Sequence, residues 1–301
     1  MKTSFLSSCL FFLVAFFSCS LSSIDQANPN DLDTNVQRDF KSYWLQGKAE
    51  ITTYDLSQAR YGELRKGNVV NVFVVEPWNE ERQVKSDSGG DSQVLKLNTT
   101  KKFLTGVYPY SMMTSVFSDV ENAACQKVTC TSQEWCGHTF TQLNNDDDQW
   151  NGQQFSYFEL EGDDDFSIGS ETVLEDEIWN TIRLNPEDLP TGEFTMLPST
   201  MYLRLSHLDF ESYPVKAQIN KGHSTTTYAL NYPSLQRIIE ITFSNAYPHV
   251  IDHWKETYSD GWGSNRKQLT TEAKLLKREM IDYWNKNSNS DEYLREELGL
   301  D

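Results

Sequence analysis

Asn68-Val69-Val70-Asn71-Val72-Phe73-Val74-Val75 decides the fold class. β-Branched and aromatic residues fill it, and it has the length of one strand buried on at least one face. Pro77 follows and is expected to end it, because proline cannot donate to a ladder. Outward from this run, residues 44–78 alternate apolar and polar side chains and are punctuated by Tyr61-Gly62 and Lys66-Gly67-Asn68. That pattern predicts an antiparallel meander. A polar loop at 82–92 contains Ser88-Gly89-Gly90-Asp91, and strands resume at 94–104 and 108–117 around the turn Thr105-Gly106.

Residues 125–143 and 150–160 again read as strands. The acidic runs Asn144-Asn145-Asp146-Asp147-Asp148 and Gly162-Asp163-Asp164-Asp165 read as solvated turns. Neither run has the D-x-[DN]-x-[DN]-G-x5-E spacing of a calcium loop. The clearest helix is predicted over 170–184. Ser170 is its cap, Glu171, Glu175, Asp176 and Glu177 sit at its positive end, and Val173, Leu174, Ile178 and Ile182 form its stripe. Further strands are expected at 193–197, 201–205, 213–220, 225–230 and 237–243; residues 269–284 close the domain, and a short helix is expected at 290–298. Residues 248–258 suit either a helix or a strand. No repeat and no Gly- or Pro-rich linker interrupts the body. The expected fold is mainly β: a large curved antiparallel sheet, half-barrel-like, with one packed helix and a few short ones.

The N-terminus carries a different signal. Lys2 precedes an uncharged run rich in Phe and Leu, 5–17, that is too short to cross a bilayer and closes on Phe16-Phe17-Ser18-Cys19. The reading is a signal peptide at 1–18, a lipid-anchored polar tether at 19–38 beginning at lipidated Cys19, and one globular domain at 39–301. Plain secretion, with cleavage near Ser20 to Ser23, is the alternative. The formal net charge of −18 repels nucleic acid and anionic headgroups, so a nucleic-acid partner is disfavoured.

Three cysteines lie beyond the leader. Cys125 and Cys130 flank a short loop and are a possible disulfide pair, which leaves Cys136 free and expected to be buried. Glu134-Trp135-Cys136-Gly137-His138, read as one strand, places Glu134, Cys136 and His138 on one face. A thiol beside an imidazole suits a nucleophile or part of a metal site, although neighbours two apart point in parallel and seldom converge. His249 and His253, with Asp252 between them, share a face if that segment is helical, in the manner of an inverted zincin motif with Asp in place of Glu. No third ligand is evident. No G-x-S-x-G, phosphate loop or dinucleotide fingerprint occurs, and no cofactor is expected. Among the tryptophans, Trp262 in its Gly-flanked loop and Trp78 beside Pro77 are the candidates for exposure.

Three segments, Tyr54-Asp55-Leu56-Ser57-Gln58-Ala59-Arg60-Tyr61-Gly62-Glu63, Gln133-Glu134-Trp135-Cys136-Gly137-His138 and Tyr283-Trp284-Asn285-Lys286-Asn287-Ser288, resemble a family of Bacteroidetes envelope proteins that circulates under the automatic label "septum formation inhibitor Maf". True Maf proteins are cytoplasmic α/β nucleotide pyrophosphatases with an S-x-S-x-R-R motif, which this chain lacks. The resemblance implies an envelope location and brings no catalytic residue with it. Two functions follow as expectations. The first is a non-catalytic binding or carrier protein, anchored to a membrane by its N-terminal lipid, that takes an apolar ligand or envelope protein in the concave face of the sheet. The second is a thiol- or metal-dependent enzyme centred on Cys136 and His138.

Overall fold

The expected strands, apart from residues 201–205, assemble into one sheet. A computed structural model describes residues 38–146 and 148–300, so the leader, Cys19 and most of the tether lie outside the described residues. The chain divides into two units, and Asp39–Asp301 is the one whose fold follows. After a short helix, α1 (38–44), come β1 (Ala49–Arg60), β2 (Glu63–Asn79), β3 (Val84–Lys85), β4 (Ser92–Thr105), β5 (Tyr108–Asp119), β6 (Cys125–Glu134), β7 (Gly137–Asp146), β8 (Gln149–Ser156) and β9 (Asp163–Gly169). The second half contains β10 (Val173–Leu174), α2 (Ile178–Leu184), β11 (Gly192–Leu197), α3 (Thr200–Ser206), β12 (Tyr213–Lys221), β13 (Thr225–Tyr232), β14 (Arg237–Ser244), β15 (Ile251–Asp260), β16 (Lys267–Ile281) and α4 (Tyr293–Glu297).

All sixteen strands belong to one sheet, ordered β10-β11-β12-β13-β14-β15-β16-β1-β2-β4-β5-β6-β7-β8-β9, with β3 beside β2. Only the short β10–β11 pair is parallel. β1 lies mid-sheet between β2 and β16, so the two halves of the chain are joined by ladder hydrogen bonds. The sheet is open, large and curved, with β9 and β10 at its ends. Asp163, Asp164 and Asp165 lie on β9, exposed, rather than in a turn. Charges on an edge strand discourage edge-to-edge pairing with another chain.

Side chains alternate across the sheet as period two requires. On β1, Tyr54 and Leu56 face inward, and on β5 Tyr110 and Met112 do. Val69 and Met112 from one half share a single cluster with Val215, Leu230 and Ile241 from the other, and Ile178 and Ile182 of α2 and Met201 and Leu205 of α3 fill the space between them. Full burial of one Leu or Ile side chain contributes about 1.5–3 kcal/mol, which makes this shared interior the main cohesive element. α2 is further tied down by Asn180, whose amide donates to the carbonyls of Leu95 and Val116 and to the Ser118 hydroxyl. On the outer face of β1 the C-terminal segment packs down, and Thr53 donates to the Leu298 carbonyl at 2.7 Å.

Three local expectations change. The helix predicted over 170–184 is α-helical only from Ile178, and Ser170 does not cap it. Val173–Leu174 pairs with β11 instead, while Glu175 and Asp176 turn inward to Arg237 and to the Thr200 N–H, so distant partners outweigh local capping. Residues 201–205 lie in α3 rather than in a strand; the helix is apolar on two sides because it is enclosed, with Met201 and Leu205 in one cluster and Tyr202 and Leu203 in the other. β2 runs on through Pro77 to Asn79. Its pairing with β1 ends at Phe73, so the missing N–H of Pro77 faces only the end of the short β3 segment, where the Ser86 N–H donates to the Pro77 carbonyl.

Candidate ligand-binding site

The Cys136 group does not assemble. Glu134 ends β6, Trp135 and Cys136 form the hairpin turn, and His138 lies on β7 opposite Gln133. Glu134 is buried while His138 and Cys136 are exposed, which corrects both the single-strand reading and the expectation of a buried Cys136. The Glu134 carboxylate accepts from the Cys136 N–H at 2.7 Å. Its hydrogen bond and charge hold the Cys136 thiol above the usual range, opposite to what a nucleophilic thiolate requires.

Cys125 and Cys130 are both free and buried on β6. Five residues of strand separate them by roughly 16 Å, far beyond disulfide reach, so the proposed pair is excluded. His249 sits in a turn with φ +56 and His253 lies on β15 opposite Lys274, so they share no helix face. Among the described residues no three His, Cys, Asp or Glu side chains come together as a metal site. Trp262 is exposed, at 64%, whereas Trp78 is buried against Phe117.

The concave face is occupied by the protein's own helices. Between them and the sheet lies a cavity of about 50 Å³, room for a few waters. Its wall is mixed: Lys101, Asn71, Arg237, Glu175, Glu256 and Asp176 face it beside apolar residues such as Leu97, Met201 and Trp254. Arg237 donates to both oxygens of Glu175 at 2.5 and 2.6 Å and through Nε to Glu256 at 2.7 Å. Burial lowers the Lys101 ammonium's pKa and raises that of the Asp176 carboxyl. Among the described residues neither polar atom of the Asn71 amide makes a hydrogen bond of good geometry.

A larger pocket, of about 320 Å³, opens at one end of the sheet. Three turns build it: β1–β2 at Tyr61-Gly62, β13–β14 at 233–236, and β15–β16 at 261–266. The end of α3 supplies its floor. The β1–β2 hairpin has two central residues, Tyr61 at φ +60 and Gly62 at φ +74, the sign pattern of a type I′ turn. Glycine is suited to that conformation; a tyrosine there is strained, a feature that collects at functional sites. Gly62 is also confined by space, since a Cβ would meet the Asn265 carbonyl at 2.5 Å.

This geometry sets the Tyr61 ring against Trp262, with centroids 5.0 Å apart, and over the Arg60 guanidinium at 4.3 Å. Tyr61 and Tyr110 hydroxyls lie 2.6 Å apart, and the Tyr108 hydroxyl donates to Tyr61 at 3.2 Å. Burial raises the Tyr61 phenol's pKa, so the ring stays neutral at physiological pH. Across the pocket, Arg266 donates to the Ser259 hydroxyl and Asp260 accepts from the Gly62 N–H at 2.6 Å. Neighbouring hairpins of the same end carry exposed Val107, Trp135 and Tyr157. Tyr202 and Leu205 of α3 line both the pocket and the inner cavity and form the partition between them.

Sequence reasoning singled out Trp262 but missed Arg60. The signal was present in its parity, because Arg60 continues the inward series Tyr54, Leu56, Gln58 along β1.

Fold and site together define a helix-filled, open antiparallel sheet with an aromatic pocket at one end. No protein-family model and no curated protein matches the chain. Among solved structures it is similar to a beta-barrel-like protein of domain of unknown function DUF1849 from Brucella abortus, at 8% identity and a TM-score of 0.45, over 78% of this chain and 98% of that one.

Proposed function

We propose that this protein is an exported, lipid-anchored envelope protein that binds an amphipathic small molecule without transforming it, and that the ligand enters the end pocket rather than the concave face. The observation that carries this reading is the pocket of about 320 Å³, in which Tyr61, Trp262 and Leu235 supply apolar surface within a largely polar wall that includes Arg60, Asp260 and Arg266. An amphipath needs both kinds of surface, and ligand sites are commonly concave with a few placed polar groups. The concave face offers too little room, because α2 and α3 occupy it. Export and anchoring rest on the Lys2 to Cys19 leader and on the family resemblance.

The neutral apolar dye N-phenyl-1-naphthylamine should give a saturable fluorescence rise with the intact protein. Trp262→Ala should weaken that binding about tenfold, the scale set by removing one aromatic contact from a ligand. An unchanged titration in a folded Trp262→Ala protein would place the site elsewhere. In the same preparations, Cys19→Ala should move the protein out of the membrane fraction or stall it as precursor; normal maturation with unchanged partitioning would remove the anchor from the reading.

A further inference from the structure

Arg60 differs from the other deeply buried arginines. Arg183 donates to both carboxylate oxygens of Glu50, and Arg237 does the same to Glu175. Arg60 is nearly as enclosed, at 4% exposure, yet among the described residues no carboxylate pairs with it. Its Nη1 donates to the Leu205 carbonyl, and its Nη2 to the Tyr110 and Tyr61 hydroxyls at 3.1 and 3.4 Å. Its Nε, itself buried, has no acceptor among the described residues.

A guanidinium carries five N–H donors and does not lose its proton in proteins. Those hydrogen bonds leave the Nε–H and one Nη1–H unspent. A buried cation without a counter-charge is costly, and neutral hydroxyls and one carbonyl only partly replace its lost hydration. The cost is offset if an anion arrives from outside. Arg60 lines the end pocket, where Arg266 adds a second positive charge. Asp260, the carboxylate on the same wall, already accepts from the Gly62 N–H.

We propose that the end pocket takes an amphipath with a single anionic head, a carboxylate or phosphate, which seats against Arg60 and Arg266 while its apolar part lies along Tyr61, Trp262 and Leu235. The proposal deepens the binding reading and rests on it. Charge-assisted hydrogen bonds to a guanidinium are the strong class, and Arg suits planar or tetrahedral oxyanions by geometry. Tyr61, held in its left-handed conformation, links the two parts of the site: its ring lies against the guanidinium and, tilted 33°, against Trp262.

The test is calorimetric titration of the intact protein in nanodiscs of zwitterionic lipid, with empty nanodiscs subtracted. The probes are decanoate, decyl phosphate, 1-decanol, decyltrimethylammonium and inorganic phosphate. Decanoate and decyl phosphate should bind about tenfold or more tightly than 1-decanol. Arg60→Gln should collapse that ratio to near one, and Arg60→Lys should keep most of it. If Arg60→Gln fails to fold, Arg266→Gln and the wild-type order of head groups decide the matter. Inorganic phosphate binding as tightly as decyl phosphate would overturn the proposal in favour of a free-anion site. Equal binding of decanoate and 1-decanol, or preference for decyltrimethylammonium, would overturn the anionic head and leave the pocket standing as a ligand site. Binding of none of the decyl probes would remove the binding reading as well.

Discussion

Substituting Arg237 with methionine is expected to lower the free energy of unfolding by about 3–5 kcal/mol, the scale of breaking a buried ion pair from one side. Arg237 is nearly inaccessible and serves two carboxylates, Glu175 and Glu256. Its removal leaves both facing a cavity of about 50 Å³ with Lys101 as the remaining cation on that wall. The Tyr232 hydroxyl also donates to Glu175, at 2.7 Å, so the damage extends across β13 and β14. Urea denaturation at neutral pH measures the loss. Adding Glu175→Gln to Arg237→Met should recover part of it, because the second change removes one of the stranded charges. A single variant within 1 kcal/mol of wild type, roughly the cost of an ordinary surface change, would show that the cluster does not stabilise the fold.

Glu50→Ala is expected to cost a similar amount, about 3–5 kcal/mol, because Arg183 then loses a bidentate partner at 2.6 and 2.7 Å in a fully enclosed position. Here pH gives a second handle. Burial pulls the Glu50 pKa upward, but the Arg183 charge and the hydrogen bonds from Arg183 and Tyr43 outweigh it and hold the carboxyl below its ordinary value of 4.5. A carboxylate depressed in the folded state stabilises fully above its unfolded pKa, and the contribution is lost as pH falls through the folded one. The gap in stability between wild type and Glu50→Ala should therefore be constant from pH 7 down to about 5 and narrow below 4.5. A gap that widens on acidification would contradict the assignment of charge to this pair.

These two clusters show where local sequence reading stops. Period-two alternation around Asn68–Val75 was enough to place the meander and the antiparallel class, since burial of one face is encoded residue by residue. The partners of Glu50 and Arg183 are 133 positions apart, and those of Glu175 and Arg237 are 62 apart; no local pattern marks such pairs. The acidic run before Ile178 looked like the start of a helix because its charges suit a positive helix end, yet Glu175 and Asp176 face inward. Residues 201–205 misled for a related reason: a helix apolar on two sides has no periodic signature to separate it from a buried strand. The turn at Trp135-Cys136 was hidden because neither residue is a typical turn former, and reading through it joined Glu134 and His138 on a face they do not share.

The candidate site was legible in part. Gly261-Trp262-Gly263 announced an exposed tryptophan, and Tyr61-Gly62 announced a hairpin. That these two loops close over Arg60 depends on β1 pairing with β16 as well as with β2, a register set by the whole sheet. A sequence shows which side chains are available to a site; the ladder decides which of them meet.

The central claim, non-catalytic binding of an amphipath in the end pocket, is tested most directly by native mass spectrometry of the protein recovered from its own cells. The account predicts a non-covalent adduct on the wild-type protein, released unchanged in mass on unfolding, and its loss from a folded Trp262→Ala protein. An adduct kept at wild-type occupancy after Trp262→Ala, or one bound covalently through Cys136, would contradict it.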